Sequence, residues 1–197
     1  MVATVNFNAF SVKGCIVFES NRASLVGHAI NAVTQGEFSH TFIFTGIEKG
    51  KSIFEANERG VVFDTFDRYS SVDHRLEVYA PYSPHSKVLE SLSALYFVYQ
   101  QKPEGYGWFE VLGNATARLA QAIGCKNFRN PIDVGKICVE VVFDYLELLD
   151  LMDEEMLEGF STDVYSPTDL LNYVKSRPDS FYKILDKPYG VSGVYSE

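Results

Sequence analysis

The stretch from Gly36 to Asn57 narrows the choice of fold more than any other part of the chain. Two runs of alternating character, Phe38-Ser39-His40-Thr41-Phe42-Ile43-Phe44 and Ser52-Ile53-Phe54-Glu55-Ala56-Asn57, flank a short connection that has a glycine at each end, Gly46 and Gly50. Side chains on a strand change face at every residue, so His40, Phe42 and Phe44 share one face, and Ile53, Glu55 and Asn57 share one face of the partner. A connection of this length predicts a hairpin. Within one residue of register it also predicts His40 directly across from Glu55, where Cβ atoms of antiparallel neighbours are roughly 4.5–5.5 Å apart. A carboxylate held there fixes the tautomer of an imidazole and raises its basicity, which is the supporting half of a nucleophile, base and orienter triad.

The rest of the chain supplies elements to build around that hairpin. Gly14-Cys15-Ile16-Val17-Phe18-Glu19 reads as a strand, after which Ser20 or Asn21 caps a helix with Leu25, Val26, Ala29, Ile30 and Val33 as its apolar stripe and Gly36 as its end. Residues 60–66 and 75–80 read as two more strands, separated by a polar stretch from Ser70 to His74. Beyond Pro84, a helix carries Val88, Leu92, Leu95, Tyr96 and Tyr99 at helical spacing, and residues 106–123 form another that Gly124 closes. The most apolar helix follows Pro131-Ile132-Asp133 and runs from Val134 to about Met152, with Ile137, Cys138, Val141, Val142, Tyr145, Leu148 and Leu149 inward and Glu140, Asp144, Glu147 and Asp150 outward. Ser166-Pro167-Thr168-Asp169-Leu170 carries an N-cap and N1-proline signal, and residues 181–185 read as a last edge strand. The sum is an α+β fold, one domain over residues 1–197, with an antiparallel sheet of about five strands packed against helices.

Charge and cysteine usage exclude several functions. A net charge of −9 argues against a nucleic-acid partner, because affinity for a phosphate backbone comes mostly from Lys and Arg. No apolar run reaches the ~18 residues of a membrane span, and Met1-Val2-Ala3-Thr4-Val5-Asn6 lacks the basic start and apolar core of a signal peptide. The expected location is the cytoplasm, with delivery inside a phage particle as another route. Three cysteines, Cys15, Cys125 and Cys138, are an odd number with no metal-ligand spacing, so free thiols are expected, with no disulfide framework, metal or cofactor.

The candidate nucleophile is Cys138, in the first turns of its helix, where the positive end of the helix dipole favours a thiolate. It also shares the apolar stripe of Val141, Val142 and Tyr145, so spacing leaves open whether it is a nucleophile or a core residue. Cys15 and Cys125 read as structural, and His28, His74 and His85 as solvent-facing. The segment Tyr106-Gly107-Trp108-Phe109 offers Tyr106 and Trp108 as rings that line a cleft and bind substrate; equally, it reads as the packed start of a helix.

Four stretches together resemble the circularly permuted branch of the NlpC-type papain-like thiol hydrolases, the group of YiiX-like proteins. They are Gly14-Cys15-Ile16-Val17-Phe18, Phe38-Ser39-His40-Thr41-Phe42-Ile43, Ile53-Phe54-Glu55-Ala56 and Ile137-Cys138-Val139-Glu140-Val141-Val142. The order of histidine, polar orienter on the next strand and helical cysteine is that branch's order, and Ser166 to Leu170 matches a segment common there. The resemblance implies a permuted papain-like fold with Cys138 as nucleophile, His40 as general base and Glu55 as its orienter. It implies a cysteine hydrolase working through a thioester, a peptidase or amidase of cell-wall-like or isopeptide-like bonds first, and it permits an acyltransferase or a lipid-ester hydrolase; a non-catalytic binding or structural module that has lost turnover is the second reading. Val139 stands where the family commonly has serine, and Cys15 where aspartate is common.

Overall fold

The computed structural model describes residues 3–7, 12–46, 52–57, 59–101, 138–154, 156 and 165–194. Among these, the strands are β1 (Ala3–Asn6), β2 (Cys15–Asn21), β3 (His40–Phe44), β4 (Ser52–Asn57), β5 (Gly60–Thr65), β6 (His74–Pro81), β7 (Phe181–Lys187) and β8 (Val191–Val194). The helices are α1 (Leu25–Thr34), α2 (His85–Gln101), α3 (Cys138–Leu148) and α4 (Pro167–Ser176), and a 3-10 turn covers Phe66–Tyr69. Six strands form one antiparallel sheet in the order β5-β4-β3-β2-β6-β7, and β1 pairs with β8 in a separate parallel ribbon. The class is α+β as the sequence predicts, with six strands in the sheet rather than about five, and β7 is the expected edge.

Strand alternation divides the core into two layers. Ile16, Phe18, Ile43, Phe54, Ala56 and Tyr79 face the helices, where Leu92 and Leu95 of α2, Val141, Val142 and Tyr145 of α3 and Leu170 and Val174 of α4 complete an apolar cluster. On the other face Cys15, Val17, Phe42, Phe44, Ile53 and Val78 are covered by Phe7 and by Phe66 and Tyr69 of the 3-10 turn. Fully burying each such Phe or Leu contributes about 1.5–3 kcal/mol, so both layers stabilise the sheet, and β3 and β4 run through the middle of them. The polypeptide bends sharply into β2 at Gly14, whose φ is +79°. A Cβ there would lie 2.1 Å from the Tyr145 hydroxyl, the group that donates a hydrogen bond to the Gly14 carbonyl.

Several elements differ from the sequence reading for identifiable reasons. The cap of α1 is Ser24, which accepts from the Gly27 N–H, because Asn21 still belongs to β2. The end of α1 is left-handed at Gln35, and Gly36 instead makes room for Thr168, whose Oγ1 would sit 2.4 Å from a Cβ. The apolar stripe of α1 does not reach the core: Leu25 is 86% exposed and Val26 47%. Leu148 of α3 is also exposed, since the helix ends there, whereas Leu149 turns inward. The capping box of Ser166 and Asp169 forms as its residues predict. The helix expected over residues 106–123, with Tyr106 and Trp108, lies outside the described residues, as do Cys125 and the residues just before Cys138. Among the described residues, no helix is long and apolar enough to cross a membrane.

Candidate active site

His40 is the first residue of β3, and the two residues before its neighbour Ser39 are tied down from a distance. The Glu37 and Phe38 N–H groups both donate to Thr168 Oγ1 at the start of α4, at 3.0 and 3.2 Å. Ser39 N–H donates to the Glu19 carbonyl of β2 at 3.0 Å. The backbone that presents the imidazole is therefore fixed from both sides.

Glu55, in the interior of β4, is fully buried, and a buried carboxylate is tolerated only when its lone pairs are met. Four donors meet them. His40 Nε2 and the Tyr69 hydroxyl reach Oε2 at 2.8 and 2.7 Å, and Asn57 Nδ2 and Arg68 reach Oε1 at 2.7 and 3.0 Å. Burial alone would raise the carboxyl pKa, but the His40 bond, His40 charge, Tyr69 bond and Arg68 charge bring it down to about 2. Glu55 is thus an anion at neutral pH.

The hairpin register differs from the expected one. Ile43 pairs with Phe54 and Phe44 with Ile53, and that register carried along the strands sets Phe42 across from Glu55. His40 and Glu55 are diagonal neighbours on one face rather than directly opposed, and both side chains are long enough to close the gap. No further β3–β4 ladder pair forms toward His40 among the described residues. The helix that carries the Cys138 sulfur packs on the face of Ile43, Phe54 and Ala56, whereas His40 has the phase of Phe42 and its ring stacks on Tyr69 with centroids 6.4 Å apart.

The imidazole meets that sulfur. Burial would lower the His40 pKa, yet hydrogen bonds to Cys138 and Glu55 and the charges of both hold it well above the ordinary histidine range. Nε2 is committed to Glu55, which leaves Nδ1 for the thiol. Cys138 itself is 6% exposed. The sheet thus brings together the three residues singled out in the sequence, at positions 40, 55 and 138. The other described thiol, Cys15, donates a hydrogen bond to the Val12 carbonyl, and burial pushes its pKa up to about 12, so it is a core residue.

Beside the His40–Glu55 pair opens a cleft of about 550 Å³, walled by α1 through Val26 and Ile30 and by the ends of β2, β4 and β6. Cys138 does not line it. The sequence reading missed much of this wall. Asn57 could have been found, since it stands two residues after Glu55 on the same strand face; Arg68 and Tyr69 carry no such signal. His74 was expected in a loop facing solvent, but it opens β6 and bonds Glu19 Oε1 through Nδ1 at 2.6 Å. His28 is exposed as expected, with Nε2 2.8 Å from the Arg22 carbonyl, and His85 is exposed at the start of α2. No group of residues suited to hold a metal ion occurs among the described residues.

Compared with known proteins, the chain matches no family model and no curated protein.

Proposed function

We propose that this chain is a cysteine hydrolase of amide or ester bonds, of the circularly permuted NlpC-type papain-like kind, with Cys138 as nucleophile, His40 as general base and Glu55 as orienter. The observation that carries the reading is the His40 ring held between a buried anion and a thiol. That arrangement places a base beside the thiol, and the thiolate formed by proton transfer is the nucleophilic form of cysteine. The thiol proton passes to His40, and the sulfur forms a bond to the acyl carbon. The tetrahedral oxyanion then collapses, breaking the C–N or C–O bond as His40 returns the proton to the departing amine or alcohol. Water attacks the thioester with His40 as base, and the acid leaves as the thiolate reforms. Peptides or amides are the preferred substrates, encountered in the cytoplasm or after delivery in a phage particle; a lipid-ester hydrolase or acyltransferase would use the same groups.

One observation favours a second reading, a binding module without turnover: the Cys138 side chain is nearly sealed and stands off the cleft wall. Assays of wild type and Cys138→Ala on peptide, acyl-ester and muropeptide panels decide between them. Turnover of one class that disappears in the variant supports the hydrolase, and turnover that survives unchanged in the variant overturns it.

A further inference from the structure

The cleft holds a second histidine–carboxylate pair. Glu19 on β2 stands directly across from His40 in the β2–β3 ladder, and Asn21 stands across from His74 in the β2–β6 ladder. Glu19 is buried, and its Oε1 lies 2.6 Å from His74 Nδ1. A carboxylate accepts, so in the tautomer that pairs with Glu19 the proton sits on Nδ1 and Nε2 keeps a bare lone pair. The Tyr69 ring packs edge-on against His74 with centroids 5.3 Å apart, and Lys187, buried on β7, donates to the backbone carbonyls of Ser71 and His74. Ring and backbone are both fixed.

The polar groups of the cleft are otherwise largely spent on each other. His40 is engaged by Glu55 and Cys138, Tyr69 and Asn57 donate to Glu55, Arg68 bonds Glu55 and Asp64, and Ser24 caps α1. His74 Nε2 has no partner among the described protein residues, although its side chain is 14% exposed and lines the cleft. Beside it α1 offers Val26 and Ile30, apolar groups that its stripe fails to bury.

We propose that His74 is a substrate-binding residue whose Nε2 accepts a hydrogen bond from a neutral N–H or O–H group, such as a peptide amide, while an apolar side chain of the same ligand rests on α1. Arg68 and His40 line the same cleft and offset the charge of Glu55, so the selection against a carboxylate or phosphate comes from its having no hydrogen to donate to Nε2. The inference rests on the proposed hydrolase in taking this cleft as its substrate groove.

N-acetyl-leucine amide and N-acetyl-leucine, which share the apolar side chain and differ in a neutral amide against a carboxylate, test it by NMR titration of the His74 ring. The amide is expected to shift His74 Nε2 and to bind on the order of tenfold more tightly than the acid. In His74→Phe, which keeps a ring against Tyr69, that preference is expected to vanish, and in His74→Gln, whose amide oxygen can accept, to return in part. Equal preference in wild type and His74→Phe, or no response of His74 to either compound, overturns the inference. Alkylation of Cys138 by iodoacetamide, measured in parallel, reports on the hydrolase reading separately: an inert Cys138 with an intact amide preference sinks the catalytic reading alone.

Discussion

The Tyr69 hydroxyl and His40 Nε2 share one oxygen, Glu55 Oε2, at 2.7 and 2.8 Å. Sharing makes Tyr69 part of the support for the imidazole although it touches neither the ring nitrogen nor the sulfur. In Tyr69→Phe the ring still packs on Phe42, which lies 4.4 Å away between centroids, and only the donor is lost. Hydrogen bonds to charged groups contribute about 1.5–3 kcal/mol, so a stability loss of that size is expected in urea melts. The Glu55 carboxyl pKa should rise at the same time, read by NMR titration.

The depressed Glu55 carboxyl makes stability depend on acid. Its pKa falls from 4.5 to about 2 on folding, so its contribution is fully present above about pH 4.5 and is lost as pH falls toward 2. A difference of this size corresponds to about 3 kcal/mol. The urea midpoint of wild type should drop across that window, and Glu55→Gln, less stable at neutral pH, should show a shallower drop. A parallel loss in both proteins would show that other carboxylates carry the effect, among them Glu77, which Lys175 and Lys183 hold down against the cost of its burial.

For His40 the sign is opposite. Its folded pKa stands above 6.5, so the stability it contributes is complete below about pH 6.5 and declines as pH rises through the folded value. Cys138→Ala removes one of the two groups that raise it, while burial continues to push it down. The His40 titration midpoint, followed by the ring Hε1 resonance, is therefore expected to move to lower pH in Cys138→Ala and again in Glu55→Gln.

Thr168 tests how far the site depends on an element remote in sequence. Its hydroxyl accepts both the Glu37 and Phe38 N–H groups, and Thr168→Val leaves the part-buried Phe38 N–H without its acceptor just before His40, at a cost of about 1 kcal/mol. Thr168→Ser keeps the acceptor and should recover most of it. The rate of Cys138 alkylation against pH should change in the valine variant and not in the serine one, an outcome that a purely global loss of stability does not give.

Strand phase was the most legible feature of the sequence, because the twofold period of a half-buried strand is written directly in residue type. It placed His40 and Glu55 on one face and assigned most strands of the sheet. Register was less legible: a shift of two residues, which sets Asn57 rather than Glu55 across from His40 when the observed pairing is carried along the strands, leaves the alternation unaltered. The period also says nothing about what covers an apolar face: the α1 stripe of Leu25 and Val26 stands exposed. β1 and β8 are short and half exposed, and they pair across nearly the whole chain, so neither carries a local signal. His74 was misread because its neighbours are polar. The clue lay in Glu19, whose phase matches Cys15 and Val17 and whose burial therefore calls for a partner.

Gly14 joins the two layers of the core, and its replacement is the sharpest test of the packing. Its φ of +79° costs an L-residue about 1–2 kcal/mol, and a Cβ would lie 2.1 Å from the Tyr145 hydroxyl and 2.5 Å from Val88 Cγ1. Neither neighbour can yield cheaply, since Tyr145 is fully buried on α3 and Val88 is packed on α2. Gly14→Ala should therefore lose on the order of 3 kcal/mol in denaturant melts, the sum of backbone strain and overpacking. Tyr145→Phe removes only the hydrogen bond to the Gly14 carbonyl and should cost about 1 kcal/mol alone. Because it also removes the oxygen nearest the new methyl group, the double variant should lose less than the two single losses combined. Additive losses would mean that α3 does not press on this bend as closely as the 2.1 Å overlap requires.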